Sequence, residues 1–81
     1  MTKTTINKQV NVSAVTFNRR FEPMPRRIEF EGRTLTFIGA GIRFLIKQNG
    51  HITRLFDMSD GSAYCRLRQD DSSWTLVAIS Q

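Results

Sequence analysis

Apolar and polar residues alternate along most of the chain after residue 25, and short turn sequences interrupt this alternation. In RRIEFEGRTLTF (residues 26–37) it runs on both sides of Glu31-Gly32. A period of two is the pattern of a strand with one buried face, and a two-residue loop ending in glycine favours a hairpin. Pairing Ile28 with Leu35 across this loop gives each face a uniform character. The predicted inner face carries Ile28, Phe30, Leu35 and Phe37, and the outer face carries Arg27, Glu29, Thr34 and Thr36.

A second hairpin is predicted around Asn49-Gly50, where two registers compete. A two-residue loop sets Ile52 opposite Lys47. A three-residue loop over 48–50 sets Ile52 opposite Ile46, with the glycine in a bulge, and gathers more apolar side chains on one face. We therefore expect the second register, although it places Arg54 on that apolar face. Its members would be Ile42, Phe44, Ile46, Ile52 and Phe56.

A third hairpin follows a turn at Asp60-Gly61. A loop over residues 70–73 pairs Leu67 with Leu76 and Cys65 with Ala78, and turns Trp74 inward. The opposite face then carries Tyr64, Arg66, Arg68, Val77 and Ile79.

Residues 1–25 are less regular. QVNV alternates like a strand, whereas SAVTFNRRF fits either an extended segment or a short helix capped by Ser13, with Ala14, Phe17 and Phe21 on one face. The two prolines that follow require extended backbone. We expect an N-terminal arm or added element over 1–25, partly flexible, and an antiparallel β domain over 26–81. The predicted fold is all-β, a small meander of about five strands curled into a small barrel or a strongly bent sheet.

Catalytic and metal-binding patterns are absent from the sequence. As a catalytic base, the single histidine, His51, would need a nucleophile and an orienting carboxylate, and the sequence does not place Cys65 or Asp57 beside it. Cys65 falls on an inward face and reads as an inert core thiol. DMSDG lacks the distal glutamate of a calcium loop, and GAG lacks the third glycine of a nucleotide fingerprint. We predict a non-enzymatic domain with no metal and no cofactor.

Composition places the chain among small globular proteins. At 81 residues it is one domain, and its single cysteine excludes an intramolecular disulfide. No apolar run is long enough to span a membrane, and the first residues lack the apolar core of a signal peptide. We therefore expect a cytoplasmic protein with no membrane partner.

The charge is uneven along the chain. The net charge is +5, and residues 1–54 hold ten Lys and Arg against three Glu. A basic surface favours nucleic acid or another polyanion, such as an acidic protein. Five aromatic residues are assigned to the core: Phe30, Phe37, Phe44, Phe56 and Trp74. The predicted polyanion-binding residues are Arg19, Arg20, Arg26, Arg27, Arg33, Arg43, Arg66 and Arg68, with Tyr64 as a stacking residue.

The predicted function is therefore a small binding domain that contacts nucleic acid or another polyanion through phosphate neutralisation, without direct base readout. The alternative is a protein-interaction or homo-oligomerising module that uses a sheet edge or the N-terminal arm.

Overall fold

The computed structural model describes residues 2–81, which form a curled half-barrel sheet of antiparallel strands without a helix. The strands are β1 (Lys3–Phe17), β2 (Pro23–Phe30), β3 (Arg33–Thr36), β4 (Ile38–Gln48), β5 (His51–Ser59), β6 (Tyr64–Asp70) and β7 (Ser73–Ser80). The all-β prediction is confirmed. There are seven strands rather than about five, and the short helix considered for residues 13–21 is wrong, because residues 3–17 are one strand.

The strands lie in the order β3-β2-β1-β7-β6-β5-β4. The first and last strands of the chain therefore pair in the middle of the sheet. Thr2 and Gln81 extend this pairing, since each backbone N–H donates to the other's carbonyl at 2.8 Å. The N-terminal segment thus contributes a strand that pairs with β7 through residues 3–10 and with β2 through residues 11–17.

The two edge strands, β3 and β4, follow one another in the chain with only Phe37 between them. Because consecutive residues bring the opposite edges of the sheet to one corner, the sheet must curl. The Phe37 side chain is fully buried, and its N–H donates to the carbonyl of Arg26 at 2.7 Å. β3 pairs with β2, and β4 pairs with β5. Positive φ angles at Gly39 (72°) and Gly41 (68°) let the backbone change direction between these two partners.

The core lies inside this curl. Phe30 pairs with Arg33 and Ile28 with Leu35, which confirms the register predicted for the first hairpin. Phe56 packs against Trp74 with ring centroids 5.2 Å apart. The buried cluster consists of Val10, Met24, Ile28, Phe30, Phe37, Phe56, Met58, Cys65, Leu67 and Leu76.

The predicted register of the second hairpin is wrong. The structure pairs Lys47 with Ile52 across a two-residue loop, in which Asn49 and Gly50 have φ angles of 53° and 75°. Two consecutive positive φ angles match the twist of the flanking strands, so turn geometry decides this register. Phe44 consequently points to the outer face and is 39% exposed, so its assignment to the core was wrong. Arg54 lies opposite Leu45 rather than beside Phe44.

The third hairpin is partly as predicted. Leu67 pairs with Leu76, but an irregularity between Arg66 and Leu67 shifts the pairing further on, so that Cys65 meets Ile79 instead of Ala78. Leu76 and Ala78 are buried on the inner side of β7. Because of the shift, the next residue, Ile79, also packs against the core instead of lying on the outer face.

Candidate nucleic-acid interface

A tight turn joins β1 to β2, and we call residues 17–22 the β1–β2 turn. Asn18 organises it: its Oδ1 accepts the backbone N–H groups of Arg20 (2.9 Å) and Glu22 (3.0 Å). Its Nδ2 donates to Oε1 of Glu22 at 2.9 Å. The backbone closes through Phe21 N–H to the carbonyl of Asn18 at 3.0 Å. One short polar side chain thus replaces the ladder bonds that the chain loses where it reverses.

The β1–β2 turn presents two aromatic rings and two arginines to solvent. Phe21 is 85% exposed and Phe17 is 63% exposed. Phe21 also has a φ of 60°, a conformation that bulky residues rarely adopt. Within residues 2–81, the guanidinium groups of Arg19 and Arg20 make no hydrogen bond or ion pair. Exposed aromatic rings beside unpaired cations are the chemistry that binds unstacked bases and phosphates.

The turn forms one wall of a cavity of about 560 Å³, and residues 39–43 of β4 form the other. We call this cavity the basic groove. Four of the eight predicted arginines line it: Arg19, Arg20, Arg26 and Arg43. Arg26 is held in place because its Nη1 donates to the carbonyl of Phe37 at 2.6 Å.

Glu22 is the acidic residue of the basic groove, and Arg43 pairs with it at 2.7 Å. The Arg43 side chain is only 15% exposed, and its buried Nε has no hydrogen-bond partner within residues 2–81. The hydrogen bond from Asn18 lowers the pKa of Glu22, and the charges of Arg43 and Arg20 lower it further. The carboxylate therefore stays ionised and paired. With four arginines against one glutamate, the groove carries a formal charge of +3.

The other predicted arginines lie elsewhere. Arg27 donates its Nε to Oγ of Ser13 at 3.0 Å on the outer side of the β1–β2 pair. Arg33 lines a separate cavity of about 390 Å³ near the Lys8–Glu31 ion pair. Neither contributes to the basic groove.

Arg66 and Arg68 lie on the outer face of β6 and are already paired. Arg66 binds both carboxylate oxygens of Asp57 at 2.7 Å, which raises the pKa of Arg66, and it lies 5.8 Å from the ring centre of Phe44. Arg68 binds Asp70 at 2.7 Å. Tyr64 is exposed on the same face. This surface is electrically more balanced than the groove.

Sequence reasoning did not assign Phe17 and Phe21 to the site, because it left residues 13–21 open between an extended segment and a short helix with both rings on one face. The signal was present as FNRRF before a proline, since asparagine and arginines between two aromatic residues suit an exposed turn better than a packed face. Cys65 is buried as predicted, and burial raises the pKa of its thiol to about 11.

Within residues 2–81 there is no cluster of three or more His, Cys, Asp or Glu side chains arranged to hold a metal ion. The same residues include no helix of the length and apolarity needed to cross a bilayer. Comparison with family models, curated proteins and solved structures gives no match to this chain.

Proposed function

We propose that this protein binds single-stranded nucleic acid along the β1–β2 turn and the basic groove. The observation that carries the proposal is the turn itself, which presents two exposed aromatic rings and two unpaired guanidinium groups within six residues. The Phe21 ring is 85% exposed and therefore contributes little to the core, its φ of 60° is strained, and an exposed ring is what base stacking uses.

In this mechanism the bases of the bound strand stack on Phe17 and Phe21. The phosphates contact Arg19 and Arg20 at the rim, while Arg26 contributes positive potential in the groove. Since Glu22 is neutralised by Arg43, it does not repel the phosphates. Stacking and phosphate contacts tolerate every base, so we expect little sequence preference. Duplex DNA offers no unstacked base to the rings and should bind more weakly.

Binding to a fluorescent oligothymidylate, measured by anisotropy at several salt concentrations, tests the proposal. We expect affinity to fall as salt rises, with a logarithmic slope of about −0.7 for each neutralised phosphate. A duplex of the same length is the comparison ligand. Failure to bind the single strand at low salt, or equally tight binding of the duplex, contradicts the proposal.

Single substitutions separate the turn from the overall charge. Phe21→Ala should weaken single-strand binding by roughly 5- to 100-fold, the effect of losing one stacked base. Arg20→Ala should reduce the salt slope by about 0.7. Arg33→Ala is the matched control, because it removes the same charge outside the groove. An equal loss from Arg33→Ala and Arg20→Ala would mean that net charge, and not this turn, attracts the ligand.

A further inference from the structure

The edge strand β4 is free along one side. It pairs with β5 alone, and it is the last strand in the sheet order. Natural edge strands are usually short, bulged or interrupted by charges and prolines. β4 has an irregularity between Ile38 and Ile42 and two charged residues, but its regular segment, residues 42–48, is solvent-exposed at every residue except Arg43. Its exposed side chains are largely apolar: Ile38, Ile42, Phe44, Leu45 and Ile46.

We propose that β4 pairs antiparallel with β4 of a second copy of this chain, about a two-fold axis at Phe44. This dimer joins two sheets edge to edge through backbone hydrogen bonds. The proposal uses the free edge of β4 and does not rest on nucleic-acid binding, although residues 41–43 belong both to the dimer segment and to the wall of the basic groove.

Backbone groups are available for this pairing. A two-residue hairpin loop is closed by a hydrogen-bonded pair, here Gln48 and His51, and such pairs recur at every second residue of an antiparallel ladder. Even-numbered residues of β4 therefore direct their N–H and C=O groups toward β5. The residues that direct these groups to the free edge are Arg43, Leu45 and Lys47.

The side chains select one register. With the axis at Phe44, the two Phe44 rings face each other, Ile42 faces Ile46, and Arg43 faces Leu45. Every facing pair in this central segment then contains an apolar side chain, and Lys47 faces Gly41 instead of another cation.

The neighbouring registers are less favourable. An axis at Leu45 sets Arg43 opposite Lys47, and like charges directly opposite each other are destabilising. An axis at Arg43 sets two arginines against each other. An axis at Ile46 shortens the ladder and places Phe44 opposite Gln48. The side chains of β4 are therefore complementary to those of a second β4 about Phe44, and this favours a second copy of the chain as the partner of the edge.

Sedimentation equilibrium over about 5–500 µM, a range that covers micromolar dissociation constants, tests for the dimer. We expect a mass rising from 9.3 kDa toward twice that value. A chain that stays monomeric over the whole range overturns the proposal.

Single cysteine variants test the register. In the proposed dimer, two copies of Phe44→Cys face each other at a non-hydrogen-bonded position with Cα atoms about 4.5 Å apart, which allows a disulfide. Two copies of Leu45→Cys lie diagonally, at about 7–8 Å, beyond disulfide reach. Native Cys65 gives little background, because it is buried with a raised pKa.

We expect a covalent dimer from oxidised Phe44→Cys and not from Leu45→Cys or Ile46→Cys. Cross-linking of either of the other two in its place overturns the register, and no cross-linking in any of the three overturns the dimer.

Leu45→Pro tests the edge itself. Proline removes an N–H that points away from β5, so the β4–β5 hairpin is retained while two inter-copy hydrogen bonds are lost. We expect the dimer dissociation constant to rise about 10- to 100-fold, with an unchanged circular dichroism spectrum. A folded variant that dimerises as tightly as the parent contradicts the proposal. If this variant does not fold, the cysteine series still decides.

Discussion

A single side chain, that of Asn18, shapes the turn that carries the candidate site. Its Oδ1 accepts two backbone N–H groups, and its Nδ2 donates to one carboxylate oxygen of Glu22. The other oxygen of Glu22 accepts a hydrogen bond from Arg43 of β4. This chain of contacts connects the β1–β2 turn to the far wall of the basic groove. The shape of the groove therefore depends on one residue that need not touch the ligand.

Replacing Asn18 with alanine should lower the free energy of unfolding by about 1–3 kcal/mol, because the partly buried turn loses three hydrogen bonds. Urea unfolding measures this change. Asn11→Ala, in β1, is the control, as its exposed side chain makes no hydrogen bond in residues 2–81, and we expect a loss below about 0.5 kcal/mol. Equal losses in both variants would contradict the role of Asn18.

Two glycines near the sheet corner provide a matched pair. Gly39 and Gly41 both have positive φ, but a Cβ at Gly39 would meet open space, whereas one at Gly41 would overlap Sδ of Met58 and lie 3.1 Å from the carbonyl of Asp57. Gly39→Ala should cost about 1–2 kcal/mol from backbone strain alone. Gly41→Ala should cost a further 1–3 kcal/mol, roughly, from overpacking. Thermal unfolding of both variants measures the difference, and equal stabilities would show that the space around Met58 relaxes freely.

At the scale of elements, the long strands β1 and β4 differ in their neighbours. β1 pairs with β7 through residues 3–10 and with β2 through residues 11–17, whereas β4 pairs with β5 alone. The change from β3 at one edge to β4 at the other passes through Phe37, which is fully buried. This residue therefore connects the local hairpin of β2 and β3 to the rest of the sheet.

Phe37→Ala should reduce the free energy of unfolding by about 3–5 kcal/mol, the usual cost of removing a buried aromatic ring. Phe17→Ala is the control, because that ring is 63% exposed, and we expect a change below about 1 kcal/mol. Chemical denaturation at low protein concentration keeps association out of the comparison. A small loss for Phe37→Ala would mean that the corner is not anchored by this ring.

At the scale of the whole molecule, positive charge exceeds negative charge, and most carboxylates are engaged. Hydrogen bonds lower the pKa of Glu29 (from Thr34) and of Glu31 (from Lys8). Backbone N–H groups of Ser62 and Ala63 lower the pKa of Asp60. Together with Glu22, these ionised carboxylates therefore stabilise the folded state at several separate places in the sheet.

Acid should therefore destabilise the fold. A carboxylate with a lowered pKa stabilises the folded state fully above its ordinary value, 4.5 for Glu and 3.8 for Asp, and this contribution is lost as the pH falls through the lowered pKa. We expect the melting temperature to fall steadily below about pH 4.5. Asp60→Asn, which cannot ionise, should show a shallower decline. A melting temperature that is constant or rises on acidification would contradict this linkage.

Local patterns in the sequence were sufficient for much of the sheet. Alternation with a period of two and the Glu31-Gly32 loop determined the register of the first hairpin, because both act over a few residues. The same reasoning failed at Asn49-Gly50, where grouping apolar residues was weighted above the turn geometry. Grouping these residues brings little burial, because the structure leaves nearly all of β4 exposed.

The sequence by itself determined the fold class, the strand faces around Ile28 and Phe30, and the excess of positive charge. Only the tertiary structure decided that β1 pairs with β7, that β4 is a free edge, and that Arg43 meets the β1–β2 turn. These features depend on contacts between distant parts of the chain. Forming such contacts costs chain entropy, and this cost is offset only when the whole sheet curls. No local period or turn signal encodes them.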